Sequence, residues 1–113
     1  MKKLVAVPCF NEEDNIDSCI ESLLILKNEK IEEFDILVVN DGSKDNTLKK
    51  LSQFGNLINV ISSKQNFGLS EVFNSILYFS KEENYDQLVI FDSDNQYPYE
   101  DIPKLFEKIA SEE

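Results

Sequence analysis

Histidine is absent from these 113 residues, and cysteine occurs only at Cys9 and Cys19. Two isolated thiols with no imidazole supply neither the repeated ligand pairs of a zinc site nor a disulfide framework, and a reducing, cytoplasmic setting fits them. Glycine and proline number three each, too few for a fibrous or disordered chain. Long apolar runs are also missing. Behind Met1-Lys2-Lys3 the stretch Leu4 to Val7 stops at Pro8, too short for a signal peptide or a membrane span, so no transmembrane segment is expected. Basic residues are scarce, 11 against 22 acidic ones, for a formal net charge of -11. A surface of that sign repels phosphate-rich polymers, and nucleic acid is not an expected partner.

What is present suffices for one core. Hydrophobic residues make up 42% of the chain, with eight Phe and four Tyr, and the length allows one compact domain over 1-113. No repeat, low-complexity tract or linker interrupts it, and the charge-rich Lys27 to Glu33 reads as a solvated loop. Leu4 to Val7 lacks the alternation of a half-exposed strand and predicts a buried one closed by Pro8. Ile16, Cys19, Ile20, Leu23 and Leu24 fall at helical spacing behind the acidic stretch Asn11 to Asp14, where a helix dipole favours negative charge. The alternation repeats: strand Phe34 to Val39, helix Asn46 to Phe54 ended by Gly55, strand Ile58 to Ile61, helix Ser70 to Ser80, strand Leu88 to Phe91. A last helix follows Pro103, running from Lys104 to Glu113 with Leu105, Phe106 and Ile109 on one side. Strands separated by helices require crossover connections, so the expected class is α/β, a mostly parallel four-stranded sheet with helices on both faces.

Ligands of such sheets bind beyond the carboxyl ends of the strands. Three of the four ends are rich in polar groups: Pro8-Cys9-Phe10-Asn11-Glu12, Asn40-Asp41-Gly42-Ser43 and Asp92-Ser93-Asp94-Asn95-Gln96. Asp92 and Asp94, one residue apart in a turn, can both address one hard cation that itself grips phosphate oxygens. Each segment also has a plain explanation. Aspartates end strands because they stabilise turns, Asp-Gly-Ser is ordinary turn chemistry, Pro8 can simply terminate a strand, and Lys64, Asn66 and Gly68 can form a plain loop. The functional reading rests on the three sets together, which should converge on one rim. A small anion such as a nucleotide diphosphate could bind there if a metal neutralised the local carboxylates.

The ordered motifs resemble one family. Pro8-Cys9-Phe10-Asn11-Glu12-Glu13 resembles the opening motif of family 2 glycosyltransferases. Val38 to Thr47 is similar to their second motif, an Asp-Gly-Ser followed by Asp-x-Thr. Asn66-Phe67-Gly68 with Asn74 resembles the Asn-x-Gly segment and its helix, and Asp92-Ser93-Asp94 stands where the metal-binding Asp-x-Asp belongs. The longer run to Pro98 resembles the dolichol-phosphate mannose synthase-like branch. The resemblance implies a Rossmann-like GT-A fold and a metal site of Asp92, Asp94 and Gln96 for Mg2+ or Mn2+. It also implies a nucleotide pocket lined by Pro8, Phe10, Glu12, Asp41, Asp92 and Ser93. Phe10 stands where Tyr is more usual, and Ser70-Glu71 where small residues are expected.

The same resemblance implies inverting transfer of a sugar from a nucleotide diphosphate to an acceptor, polyprenyl phosphate or a glycan, in a parent protein at the cytoplasmic face of a membrane. Family members continue past Asp-x-Asp with an acceptor-binding half, which is expected to be absent here. No catalytic base is assigned, and the isolated chain is expected to bind its donor but transfer sugar poorly. Other readings stay open. A phospho-acceptor receiver domain is also acidic and α/β, though Glu12-Glu13 is displaced from the strand end and no fifth strand is visible. A non-catalytic nucleotide-binding or assembly module would use the last helix to form a homo-oligomer. A sugar nucleotidyltransferase would need a Gly-rich loop after the first strand, which is lacking.

Overall fold

The computed structural model describes residues 1–30, 32–94 and 98–112. Four strands, β1 (Lys3–Cys9), β2 (Asp35–Asp41), β3 (Asn59–Ser63) and β4 (Gln87–Ile90), form one parallel sheet in the order β3-β2-β1-β4. Between and after them run α1 (Ile16–Asn28), α2 (Thr47–Ser52), α3 (Leu69–Glu82) and α4 (Ile102–Glu112), with 3-10 turns at Gly55–Leu57 and Tyr99–Asp101. The α/β class and the parallel sheet are as the pattern of elements predicts. The order reverses between β1 and β4, which opens a crevice at their carboxyl ends. Receiver domains instead place β1 between β2 and β3. The observed order discards that alternative.

Alternation along the strands divides the core in two. Val5, Val7 and Cys9 of β1, Ile36 and Val38 of β2 and Val89 of β4 point to one face, where they meet Ile16, Cys19, Ile20, Leu23 and Leu26 of α1, Leu51 of α2 and Ile102 and Phe106 of α4. Each such Leu or Ile, taken fully out of water, contributes about 1.5–3 kcal/mol. Leu4, Ala6, Leu37 and Val39 point to the other face and pack on Val72 and Ile76 of α3. Both faces of β1 and β2 are thus covered, which is why their sequences are continuously apolar rather than alternating.

Several boundaries differ from the sequence expectation. β1 runs through Pro8 to Cys9 instead of closing at it. The Phe91 amide donates to the Ala6 carbonyl, so Ala6, and with it Pro8 two residues on, faces the β4 side. Pairing with β4 has ended at Ala6, so the missing proline N–H costs no ladder bond. α2 stops at Ser52, before Phe54, and Gly55, at φ 54°, opens a turn instead of ending the helix. Pro103 lies in the first turn of α4, where no intrahelical N–H is required. Leu105 is exposed, while Ile102, Phe106 and Ile109 face the core. The charged stretch is not all solvated loop either: Lys27 and Asn28 finish α1, and Glu32 pairs with Lys3 at 2.6 Å.

Candidate functional site

A cavity of about 480 Å³ opens at the carboxyl ends of β1, β2 and β4. Pro8, Cys9, Phe10 and Glu12 line it from the β1 end, Asp41 from β2, and Asp92, Ser93 and Asp94 from β4, while Asn66, Gly68, Leu69 and Val72 form the opposite wall. The three polar segments therefore converge on one rim. Every expected pocket residue lies on this cavity except Gln96, which falls outside the described residues.

The β1 loop holds its shape through the β2 loop. Asn11 adopts a left-handed backbone (φ 52°), and its amide donates to Ser43 Oγ at 2.9 Å while its Oδ1 accepts from the Lys44 amide at 2.8 Å. Ser43 Oγ in turn donates to Asn40 Oδ1. The next amide, of Glu12, donates to Thr47 Oγ1 at 3.0 Å, and that of Glu13 to Asp45 Oδ2 at 3.3 Å. Phe10, 42% exposed, stands at the lip, and Glu12 begins the turn into α1, its carbonyl accepting from the Ile16 amide at 2.8 Å.

Asp41 is buried, and its carboxylate is committed to the chain itself. Oδ1 accepts from the Phe67 amide at 2.8 Å and Oδ2 from the Gly68 amide at 3.0 Å. The structure shows a clamp on the loop before α3, with lone pairs left over, since a carboxylate offers about four acceptor positions. Gly42 (φ +69°) lets that loop approach, because its α-carbon lies against the backbone of Gln65 and Asn66.

Across the cavity, Ser93 is buried and its hydroxyl donates to the Pro8 carbonyl at 3.4 Å, which joins the β4 turn to the end of β1. The charge of this rim reaches the core beneath it. Cys19 is pushed up to about 12 by burial first and then by Glu12, Asp94 and Asp92. Cys9 rises to about 12 as well, through burial and then Glu12, Cys19 and Asp45. Among the described residues no three carboxylate or thiol groups are gathered to cage a metal. The donor set nevertheless fits Mg2+ or Mn2+, hard cations that take one or two carboxylates and complete their shell with waters and substrate phosphates.

Sequence reasoning missed the structural use of Asp45 and Thr47. Their signal was present in the Asp-x-Thr spacing, which serves turn geometry: Asp45 Oδ1 accepts from both the amide and the hydroxyl of Thr47, at 3.0 and 2.5 Å. The apolar wall of Leu69 and Val72 was also missed, because a helical pattern does not say which end of the helix meets a cavity.

Residues 4–113 match the sequence profile of Glycosyl transferase family 2. The chain is 34% identical over 116 residues to the dolichol-phosphate mannosyltransferase of Pyrococcus furiosus, covering 98% of the chain and 31% of that protein. It is 28% identical over 108 residues to the undecaprenyl-phosphate 4-deoxy-4-formamido-L-arabinose transferase of Proteus mirabilis, covering 92% of the chain and 32% of that protein. Among solved structures it resembles S. aureus TarS 1-349 in complex with UDP-GlcNAc, at TM-score 0.70 and 28% identity, over 98% of the chain and 32% of TarS 1-349. The mannosyltransferase PcManGT of Pyrobaculum calidifontis, solved with GDP-Man and Mn2+, shares the fold at TM-score 0.69 and 20% identity, over 88% of the chain and 29% of that protein. The chain thus spans about a third of the length of the two relatives, of TarS 1-349 and of the PcManGT chain.

Proposed function

The chain belongs to glycosyl transferase family 2, and from that premise we propose that its strand-end cavity binds the nucleotide diphosphate of an activated sugar, with Asp92 and Asp94 holding Mg2+ or Mn2+. The observation that carries this reading is the convergence of Pro8, Phe10, Glu12, Asp41, Asp92, Ser93 and Asp94 on one cavity at the point where the strand order reverses. TarS, which has this fold, was solved with a nucleotide sugar.

In this reading Phe10 and Pro8 offer an apolar surface to the base, and Asp41 holds the loop before α3 against the nucleoside end. Ser93 fixes the turn that carries the two carboxylates to the rim. The bound metal would neutralise charge on the diphosphate as the glycosidic bond breaks. An acceptor oxygen attacks the anomeric carbon, and the electron pair of the breaking C–O bond leaves with the diphosphate. A single displacement of this kind inverts the configuration. A polyprenyl phosphate is the acceptor class we favour, because two relatives carry such acceptors in their names. With such an acceptor the parent protein would work at the cytoplasmic face of a membrane; no helix among the described residues is long and apolar enough to cross one. No group in the chain is assigned as a base.

Calorimetric titration with UDP and GDP, with and without Mn2+, tests the reading. Metal-dependent binding of one of them, lost in Asp94→Ala, is the expected result. Binding that ignores both the metal and the substitution would remove Asp92 and Asp94 from the site, and no binding of either nucleotide would overturn the reading.

A further inference from the structure

The expected site residues leave one group of polar contacts without a function. Asp45 does not line the cavity, yet four hydrogen bonds run through it and Thr47 into the β1 loop. Asp45 Oδ1 accepts from the Thr47 amide at 3.0 Å and from the Thr47 hydroxyl at 2.5 Å, and Oδ2 accepts from the Glu13 amide at 3.3 Å. The fourth is the donation from the Glu12 amide to Thr47 Oγ1 at 3.0 Å.

The direction of these bonds matters. A carboxylate only accepts, so the Thr47 hydroxyl proton is committed to Asp45, and the lone pairs of its oxygen are turned toward the Glu12 amide. Thr47 is fully buried, so this polarity is not averaged out by water. We propose that Asp45 is a positioning residue for the nucleotide site: acting through Thr47, it fixes the Glu12 and Glu13 amides and so sets where Phe10 and Glu12 stand on the rim. This inference rests on the reading of the cavity as a nucleotide site.

The charge state agrees with the geometry. Partial burial works to raise the Asp45 carboxyl, but the hydrogen bonds from Thr47 and Glu13 outweigh it and hold the group below the usual carboxylate range. The carboxylate form is the one these donors select.

Three variants separate positioning from mere stability. Thr47→Val keeps the shape of a buried side chain but removes the hydroxyl, leaving the Glu12 amide without its acceptor. Asp45→Asn keeps the shape of the carboxylate but sets an NH2 against one of its donors. Thr47→Ser retains the hydroxyl and should restore the wild-type behaviour. Tyr85→Phe is the control: it removes the 2.6 Å hydrogen bond to Asp35 at the opposite rim of the sheet.

The measurements are calorimetric affinity for UDP and GDP with Mn2+ and hydrogen exchange of the Glu12 and Glu13 amides. Thr47→Val and Asp45→Asn should each weaken nucleotide binding roughly tenfold and speed exchange at Glu12 and Glu13. Thr47→Ser should do neither, and Tyr85→Phe should lower thermal stability with unchanged affinity. Asp45→Asn removes a negative charge near an anion site, which by electrostatics alone would tighten binding, so a loss of affinity has the sign that only positioning gives. Wild-type affinity and unchanged exchange in both variants would overturn the inference. If the wild-type chain bound neither nucleotide, the site reading would fall, and unchanged exchange would then reject Asp45 as the holder of the loop.

Discussion

The α-carbon of Gly42 lies directly against the peptide of Gln65, so that a methyl group placed on it would come within 2.7 Å of the Gln65 carbonyl oxygen. This contact seats the loop before α3 on the end of β2, beside the Asp41 carboxylate that clamps it.

Gly42→Ala should therefore be costly in two ways. The left-handed backbone at φ +69° disfavours a side chain by about 1–2 kcal/mol, and the overlap with fixed backbone adds about 1–3 kcal/mol. Chemical denaturation should register a loss of about 2–5 kcal/mol. Amide exchange should show Phe67 and Gly68 released from Asp41. A variant with wild-type stability and protected amides would show that the loop is held elsewhere.

Asp41→Asn removes one of two acceptors that face backbone N–H groups. One amide, of Phe67 or Gly68, then meets an NH2 group, and a buried donor left unsatisfied costs about 1–3 kcal/mol. The expected result is a thermal destabilisation together with weaker nucleotide binding. Unchanged stability combined with lost binding would assign Asp41 to the ligand alone.

The two thiols and one phenol predict behaviour at high pH. Burial, followed by nearby carboxylates, raises Cys9 and Cys19 from an ordinary 9.0 to about 12. Burial, followed by the hydrogen bond to Asp35, raises Tyr85. Groups raised in this way hold their protons in the native state after the unfolded chain has lost them. The stability they contribute is complete below pH 9 and is lost as pH climbs toward 12. Native Cys9 and Cys19 should also resist alkylation at pH 8, reacting only after unfolding. Rapid native labelling of either would show that the core opens.

Much of this organisation was legible in the residues. The uninterrupted apolar runs of β1 and β2 announce a sheet covered on both faces, and the spacing of Ile16, Cys19, Ile20 and Leu23 identifies the buried side of α1. Convergence of the polar strand ends follows from parallel topology, because every strand delivers its carboxyl end to the same rim. What could not be read was the division of labour among the polar residues. Asp41 and Asp45 are both aspartates beside a turn, and only the folded backbone shows that one lines the cavity while the other lies behind it. Pro8 misled for a similar reason. Proline breaks a ladder only where the ladder would use its N–H, and strand order decides that side.

The central place of β1 has a consequence for how the molecule is made. β1 is synthesised before both of its neighbours, one of which begins at Asp35 and the other at Gln87. Until β4 has emerged, one side of the most apolar strand carries unpaired backbone groups, the arrangement most prone to pair with a foreign strand. The cavity shares this timing, because Asp92 and Asp94 come later still. A nascent chain thus passes through a stage in which β1 has an open sheet edge and the rim of the cavity is still incomplete, the kind of transiently unpaired edge that makes folding intermediates prone to aggregate.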